Sequence, residues 1–519
     1  MRPHGFGVSS VEKNANSKHC FSREEIVRKF VNCRGKTLGE IDKTGVFAGK
    51  PKNKGVAGAV IEQSVLGYPP DVRQEPDIKI DGIPYEVKTT GLVFGAKSKG
   101  GGRQRRSKPG PSGLDKCELR DLEAKEPMSV TAVSVDEIWK EEFASSAFWH
   151  KLEHMLIAYY LYNDGKAKKV DDALEYERFP FIDYELHDWN DDDREVLRSD
   201  WQIVRDFVAR VHQEGLDPDE EYPKISHELN RKLMYTDTSP KWPNKPRWRL
   251  KRSTVTSMVK EHFAHAELER LPVLLSSYAD IERVCQDIRR DYGGTTVAEL
   301  ARELHFGGSL AGKSVNEGLL VRMFGGSEKK ISRIDTFAKA GIQCKSMTLA
   351  SGAVRLSEDM KFARIDFDEV MNEDVSWEDS AAKECFEGRF LCAVFSEPSR
   401  EAPLSENVFE GFKWLVLDDE VVDEARMVWE EVRRLIVEDE LKDIPVLRKD
   451  GTQIVNQNGV PRSAPNFPKS KDAKAVFVRG DSSDSSRKPL VINDVRMYLQ
   501  YFWLRKQWVA DRLAQEQYL

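Results

Sequence analysis

Spacings of apolar and polar residues along the chain predict a succession of short helices and strands. A first helix is predicted over SREEIVRKFV, where Ser22 and Glu25 have capping-box spacing. Residues 53–68 have a mostly helical apolar period, and Gly67 is a natural stop. Further along, the patterns predict a strand in EPMSVTAVSV, a buried strand or helix in WHKLEHMLIAYYLY and an amphipathic helix in DWQIVRDFVARVHQ.

Between these elements, the run PDIKIDGIPYEVK alternates apolar and polar residues on both sides of a turn signal. Asp81 followed by Gly82 is typical of a β-hairpin turn. On such a hairpin Asp77 opens the first strand, while Glu86 and Lys88 point to the same face of the second. The pattern therefore predicts a hairpin that presents two carboxylates and an amine.

The second half of the chain repeats this order of motifs at a nearly constant offset. The matches, at offsets of about 257 to 259 residues, are Gly35–Ile41 with Gly294–Leu300, Lys54 with Lys313, Leu66-Gly67 with Phe324-Gly325, Asp77 with Asp335, and Glu86-Val87-Lys88 with Gln343-Cys344-Lys345. We interpret this series as an internal duplication. It predicts a first domain over residues 1–270, a linker over 271–290 and a second domain over 291–519.

Composition agrees with a multidomain protein and restricts its partners. The chain has 519 residues and a net charge of −7, so a polyanion would have to be held by local basic patches. The longest apolar runs are too short to cross a membrane, and the start of the chain lacks the apolar core of a secretory signal. Seven scattered cysteines without a CxxC pair favour free thiols in a reducing cytoplasm over a structural zinc site.

The strongest basic patch follows the hairpin, in a Gly- and Pro-rich stretch that has no regular period. We expect it to be a flexible arm that contacts nucleic acid, and its cations are Lys97, Lys99, Arg103, Arg105, Arg106 and Lys108. The alternative is a solvated loop that binds nothing.

The hairpin residues have the chemistry needed to hydrolyse a phosphodiester. Mg²⁺ binds carboxylate oxygens, so Asp77 and Glu86 are candidate metal ligands, with the Val87 carbonyl as a third. Lys88 would orient the attacking hydroxide, and Glu62 on the preceding helix could hold an outer water or a second ion. The alternative is a surface hairpin in which Glu86 and Lys88 form an ordinary ion pair.

The segments TLGEI, NKGVAGAVIEQSVLG and PDIKIDGIPYEVKT together resemble the MutH family of DNA endonucleases. This resemblance implies a restriction-endonuclease-like α/β fold, in which a mixed central sheet is flanked by helices. It implies catalytic roles for Asp77, Glu86, Lys88 and Glu62, and a DNA-proximal role for Lys54. Two tandem copies also resemble the longer Sau-type restriction enzymes of that family, which act at GATC and carry a second, catalytically incomplete domain.

In the second copy the metal-binding residues are incomplete. Gln343 replaces the second carboxylate and Val321 stands at the position of Glu62, although Asp335 and Lys345 are retained. We therefore expect this degenerate second site to bind DNA without cutting it, or to serve only as a packing scaffold.

Outside the arm, further DNA contacts are expected from basic residues near aromatic ones. They are Arg249, Lys251, Lys469, Lys471, Arg479, Arg505 and Lys506, and Lys313 is added because it matches Lys54 in the second copy. The segment YFWLRKQWV could equally be an amphipathic core element with a basic outer face.

These features predict a cytoplasmic, Mg²⁺-dependent type II restriction endonuclease that cuts double-stranded DNA, with GATC as the site implied by the resemblance. One active site per chain predicts DNA-induced self-association, and a cognate DNA methyltransferase is the expected partner. The rival functions are a strand-nicking repair endonuclease and a non-catalytic DNA-binding protein.

Overall fold

A computed structural model describes residues 19–49, 55–68, 76–95, 114, 116–165, 172–240, 242–265, 267–310, 315–349, 356, 359–372, 375–399, 402–448, 450–456, 459–482 and 488–519. The chain divides into two compact units. Unit 1 contains the described residues 19–94 and 114–265, and unit 2 contains Gly95 and the described residues from 267 to 519.

Unit 1 is an α/β unit with two sheets. Its strands are β1 (Cys20–Phe21), β2 (Ile78–Ile80), β3 (Ile83–Phe94), β4 (Leu122–Ala124), β5 (Met128–Ala132), β6 (His154–Leu161), β7 (Phe181–Asp188), β8 (Thr236–Ser239) and β9 (Arg247–Leu250). Its α-helices are α1 (Arg23–Val31), α2 (Leu38–Ile41), α3 (Val56–Val60), α4 (Lys116–Arg120), α5 (Ala147–His150), α6 (Asp191–Glu214), α7 (Pro218–Glu221) and α8 (Arg252–Ala264). A π-helical turn, Ile61–Leu66, continues α3.

The main sheet of unit 1 is mixed, with strand order β1-β2-β3-β6-β7, and β4 pairs with the far end of β3. β3 runs parallel to β6 and antiparallel to β2, so it lies in the interior of the sheet. The second sheet has the order β5-β9-β8. The predicted first helix is confirmed as α1, where Ser22 and Glu25 form the capping box, and WHKLEHMLIAYYLY contains a strand, β6, rather than a helix.

The long helix α6 begins at the acidic stretch of the sequence. Asn190 caps it by accepting a hydrogen bond from the Asp193 amide, and three aspartates occupy its first turn. Carboxylates at a helix N-terminus interact favourably with the helix dipole, which explains why so many like charges are tolerated there.

Unit 2 also combines helices with several small sheets. Its strands are β10 (Gln343–Leu349), β11 (Met360–Arg364), β12 (Arg389–Ser396), β13 (Val408–Val416), β14 (Asp443–Pro445), β15 (Ser463–Pro465), β16 (Val476–Asp481), β17 (Leu490–Ile492), β18 (Val495–Met497) and β19 (Leu499–Leu504). Its α-helices are α9 (Tyr278–Tyr292), α10 (Val297–Glu303), α11 (Val315–Met323), α12 (Asp335–Lys339), α13 (Phe367–Val370), α14 (Ala381–Glu387), α15 (Asp419–Val437) and α16 (Lys506–Gln515).

The strand pairing of unit 2 parallels that of unit 1. β10 pairs in parallel with β12, and β12 pairs antiparallel with β13, as β3, β6 and β7 do. The sheet β11-β19-β16 corresponds to β5-β9-β8, and a final helix follows in each unit. Both units also contain a short helix with a capping box at the matched motif, formed by Thr37 with Glu40 and by Thr296 with Glu299.

The predicted linker over residues 271–290 is wrong, because most of it is helix α9 of unit 2. Ile281, Cys285 and Ile288 recur at helical spacing and are buried. Tyr278 packs edge-on against Trp414 of β13 at 5.6 Å between ring centroids. The segment therefore contributes to the core of unit 2 instead of bridging two domains.

Among the described residues, no helix is long and apolar enough to cross a membrane. The six described cysteines, Cys20, Cys33, Cys285, Cys344, Cys385 and Cys392, are all free thiols.

Candidate active site

The predicted hairpin is present and aligns its two carboxylates. Asp81 and Gly82 have positive φ angles of 50° and 87°, as a tight hairpin turn requires, and the strands on either side pair in antiparallel register. Since Ile78 pairs with Tyr85, Asp77 comes beside Glu86 on the neighbouring strand. The Val87 amide donates a hydrogen bond of 2.8 Å to Asp77 Oδ2, which anchors the aspartate to β3.

Glu86 is buried between two lysines. Lys88 Nζ lies 2.8 Å from Glu86 Oε1, and Lys151 Nζ lies 2.7 Å from Oε2. Glu86 is 4% exposed and Lys151 is 6% exposed, so this is a desolvated charge cluster rather than a surface ion pair. The alternative of an ordinary exposed hairpin is therefore wrong. Lys88 Nζ also lies 3.4 Å from the Val130 carbonyl oxygen on β5.

Asp77 is held in an environment that disfavours its charge. Burial, followed by the nearby Glu86 carboxylate, raises the pKa of Asp77 to about 6, although the Val87 amide and the two lysines act in the opposite direction. Two carboxylates that share a partly buried site raise the cost of ionising both. Such a perturbed pKa in a cluster of charges is typical of a functional site.

Glu62 lies on the π-helical turn next to β3, on the predicted helix. Gly58 on α3 faces Thr89, since a Cβ at Gly58 would lie 3.8 Å from Thr89 Oγ1. The Glu62 carbonyl accepts hydrogen bonds from Gly67 and Tyr68, and these bonds close the turn. π-helical turns occur often at functional sites, but the role of the Glu62 side chain stays a prediction.

The cluster has the donors that a hard divalent cation prefers, although it supplies only two carboxylates. Across the described residues, no group of three or more His, Cys, Asp or Glu side chains has metal-binding spacing. Mg²⁺ is usually bound through one or two carboxylates, with water and substrate phosphate completing its shell, so the pair Asp77 and Glu86 fits that ion. The use of the Val87 carbonyl as a ligand stays a prediction.

Lys151 is the functional candidate that sequence reasoning missed. It follows α5 and lies close to the start of β6, 65 positions after Glu86, and the fold brings it to the hairpin through the parallel pairing of β3 with β6. The signal was a lysine in FWHKLEHML, next to the predicted buried element. A cation so close to a run of apolar residues requires a partner when it is buried.

Several predicted DNA-binding residues lie outside the described residues, namely Lys54, Lys313 and the arm with Lys97, Lys99, Arg103, Arg105, Arg106 and Lys108. Two others are engaged within unit 1. Arg249 makes two hydrogen bonds to Asp237, and Lys251 donates to the Leu233 carbonyl. Internal contacts of this kind position β8 and β9, and the DNA contacts of these two residues stay a prediction.

The basic residues of unit 2 differ in their surroundings. Arg479 stacks on Trp503 at 3.6 Å and pairs with Asp359 at 3.1 Å, while Arg505 donates to the Ala473 carbonyl. Lys469 is half-buried, whereas Lys471 and Lys506 are exposed. The segment YFWLRKQWV thus combines a buried strand, β19, with the start of α16.

In unit 2 the residues matched to the hairpin have a different arrangement. Asp335 begins the short helix α12 instead of a strand, and its buried carboxylate pairs with Lys339 at 2.9 Å. The match of Asp335 with Asp77 is therefore wrong as a structural equivalence. Asp335 lies on a helix and pairs with a lysine four residues later, whereas Asp77 stands directly before a strand. Val321 is fully buried, and its carbonyl accepts from Gly326 as that of Glu62 accepts from Tyr68.

Gln343 and Lys345 do occupy the matching strand, β10. The Gln343 amide donates to Cys385 Sγ at 3.4 Å, and Lys345 pairs in register with Cys392 of β12. Burial lowers the pKa of the Lys345 ammonium. Among the described residues of this region, the paired carboxylates and the second lysine of unit 1 thus have no counterpart around Gln343.

A mixed sheet with two carboxylates and two lysines gathered at one hairpin is the arrangement of a phosphodiester-cleaving enzyme. Residues 66–200, which include Asp77, Glu86, Lys88 and Lys151, match the family described as the DNA mismatch repair enzyme MutH. The chain is 23% identical over 437 residues to the type II restriction enzyme Sau3AI of Staphylococcus aureus, a match that covers 75% of this chain and 83% of that enzyme. The chain is therefore similar to the MutH family over residues 66–200 and to a Sau-type restriction enzyme over most of its length, and these two matches indicate a type II restriction endonuclease, a deoxyribonuclease.

Proposed function

We propose that the protein is a Mg²⁺-dependent restriction endonuclease that recognises a short sequence in double-stranded DNA and cuts both strands, with GATC as the expected site. The observation that carries this proposal is the partly buried cluster of Asp77, Glu86, Lys88 and Lys151, which lies on β3 and on the residues just before β2 and β6. The GATC site rests on the resemblance to Sau-type enzymes alone.

Each residue of the cluster has a distinct role in this proposal. Asp77 and Glu86 would hold Mg²⁺, which supplies a water of lowered pKa and charge stabilisation at the phosphate. Lys88 lies between Glu86 and the Val130 carbonyl and can orient the attacking water and face the phosphate. Lys151 forms an ion pair with Glu86 in a buried setting and so holds this carboxylate in place for the metal ion.

For unit 2 we propose a degenerate copy of unit 1 that binds DNA without cutting it. The shared order of strands and helices and the two matched capping boxes support a duplication. Gln343, which stands in place of Glu86 and contacts a thiol, supports the loss of catalysis. One cutting site per chain then requires that two chains meet on DNA to break both strands together.

Digestion of an unmethylated plasmid tests the function. Wild-type protein with Mg²⁺ should give discrete linear fragments whose sequenced ends share one short palindrome, and Glu86→Ala should give none. No cleavage by wild type, with DNA still bound by both proteins, would instead support a non-catalytic DNA-binding role.

The match to a mismatch repair enzyme favours a second candidate, a strand-nicking endonuclease. Nicked circles that accumulate without linear product would support it over the restriction enzyme.

Self-association is tested by sizing the complex. The mass of Glu86→Gln protein on a duplex with one site should correspond to two chains, and a one-chain complex of a wild type that cuts both strands together would contradict the proposal.

A cognate methyltransferase is the expected partner, because a cell that makes this enzyme must protect its own sites. Free thiols at the described cysteines fit a cytoplasmic location.

A further inference from the structure

Unit 2 contains a short sequence repeat that is not part of the candidate active site. Residues 446–453, VLRKDGTQ, are followed by IVNQNGVP at 454–461, an eight-residue repeat in which Gly451 corresponds to Gly459 and Leu447 to Val455. The strands β14 and β15 flank the repeat. We call residues 443–465 the double-hairpin arm.

Each repeat closes one tight turn of the same kind. Gly451 donates to the Arg448 carbonyl at 3.0 Å, and Gly459 donates to the Asn456 carbonyl at 2.9 Å. Both glycines have positive φ, 84° and 80°, which side chains rarely adopt. The repeat therefore encodes two successive hairpins of equal size.

Three passes of the chain meet at the base of these hairpins. Val446 donates to Arg462, Ile454 donates to Val446, and Arg462 donates to Ile454, at distances from 2.7 to 2.9 Å. Below them the side chain of Asn466 accepts from the Lys442 amide and donates to the Glu440 carbonyl. The double-hairpin arm is thus a regular β-structure that main-chain hydrogen bonds hold together.

The arm presents apolar side chains to solvent. Leu447 is 56% exposed, Val455 51% and Val460 46%, and Ile444 at its base is 39% exposed. Large exposed apolar side chains are ordinary singly, but several on one small element mark an interaction surface. Because these side chains lie on a regular β-element, the double-hairpin arm is a candidate surface for binding a partner.

The charge of the arm indicates which partner. Residues 443–465 contain three basic and two acidic residues, while the whole chain carries −7. Arg448 and Arg462 are exposed and form no ion pair with a described residue. The acidic groups are engaged locally, since Asp443 lies 3.7 Å from Lys488 and Asp450 accepts from Thr452. An anionic partner is therefore favoured over a second copy of this acidic chain.

We infer that the double-hairpin arm of unit 2 enters a groove of double-stranded DNA, with Arg448 and Arg462 on phosphates and Leu447, Val455 and Val460 against base edges. This inference rests on the proposed function, that the protein acts on DNA. The major groove of B-DNA admits a two-stranded β-ribbon, and apolar side chains there contact the thymine methyl group. The arm would then contribute sequence preference to the unit that does not cut.

The charge part of the inference is tested in the full chain with Glu86→Gln, which prevents cleavage. Arg448→Ala with Arg462→Ala should weaken DNA binding at least tenfold and reduce the slope of log affinity against log salt by about 1.8, because each lost phosphate contact removes about 0.9. The matched control is Arg283→Ala with Arg290→Ala, two exposed arginines of unit 2 that already pair with Asp280 and Asp287. Equal affinity and slope for the two double variants would overturn the inference.

The apolar part is tested with Leu447→Ser, Val455→Ser and Val460→Ser together. The preference for site-containing over random duplex should fall about tenfold. Unchanged DNA preference, combined with loss of a protein dimer in sedimentation, would overturn the inference in favour of an interface between copies. Thermal unfolding at the wild-type temperature confirms that the variants fold.

Plasmid cleavage by wild type separates this inference from the proposed function. If wild type cuts no DNA but its DNA binding still depends on the double-hairpin arm, the inference about this arm holds and the proposed function fails. If wild type cuts at one site but binding is independent of the arm, the proposed function stands and the arm inference fails.

Discussion

Strands β3 and β10 are the clearest comparison between the two units. Both pair in parallel with the next long strand, through Glu86 with Met155 in one and Gln343 with Phe390 in the other. In unit 1 the glutamate is buried with two lysines, whereas in unit 2 a neutral amide contacts a thiol. The same strand arrangement is therefore compatible with a charged cluster and with a neutral one.

The position of the second lysine, Lys151, also differs between the two units in this way, from charged to uncharged. Lys151 lies four residues before Met155, and the residue four positions before Phe390 is Phe386, which is fully buried. At the matched positions, unit 2 thus has a neutral amide and an apolar side chain where unit 1 has the two members of a buried ion pair. A buried ion pair contributes little net stability compared with apolar packing, which indicates that unit 1 keeps its charges for chemistry rather than for folding.

The largest expected effect comes from the lysine nearest the proposed reaction. Lys88→Met should reduce the plasmid cleavage rate by about 10³-fold, since it removes the cation that faces the phosphate while leaving both carboxylates. Lys79→Met, an exposed lysine on the other strand of the hairpin, is the matched control and should cleave normally. A cleavage rate for Lys88→Met within tenfold of wild type would remove Lys88 from the reaction.

A smaller loss is expected at the lysine that acts through Glu86. Lys151→Met should lower the cleavage rate by about 10²-fold and raise the Mg²⁺ concentration needed for half-maximal rate, because Glu86 then loses the buried ion pair that positions its carboxylate. The exposed ion-pair variant Lys140→Met serves as control.

The smallest effect concerns the stability of the fold. Replacement by asparagine should have opposite effects on stability at Asp77 and at Asp335. The pKa of Asp77 is about 6 in the folded protein, above the value of an unfolded aspartate. Stability from this group is therefore fully present below the unfolded pKa and is lost as pH rises through 6. Asp77→Asn should raise the free energy of unfolding by about 1–2 kcal/mol at pH 7 and by nothing at pH 4, measured by thermal unfolding in EDTA.

Asp335→Asn is the opposing control, because it leaves the buried Lys339 ammonium without its partner and should lower the unfolding temperature. A lower unfolding temperature for Asp77→Asn at pH 7 would mean that its carboxylate stabilises the fold.

The sequence predicted those parts of the site that are local in the chain. Asp77, Glu86 and Lys88 belong to one hairpin, whose turn signal and alternation identify the faces of its strands. Lys151 was missed because it reaches Glu86 through tertiary pairing, which spacing does not report. Asp335 was misplaced because a constant offset between two segments does not distinguish the start of a helix from the start of a strand.

One comparison tests the central claim most directly, namely that unit 1 cuts DNA and unit 2 does not. Single-turnover cleavage of a one-site plasmid with Mg²⁺ would be measured for Glu86→Gln and for Gln343→Glu. We predict that Glu86→Gln, which gives β3 the residue of β10, loses at least 10³-fold in rate. Gln343→Glu should cut as wild type does, since β10 still lacks a second carboxylate and a second lysine. Site-specific cleavage that survives Glu86→Gln would contradict the account.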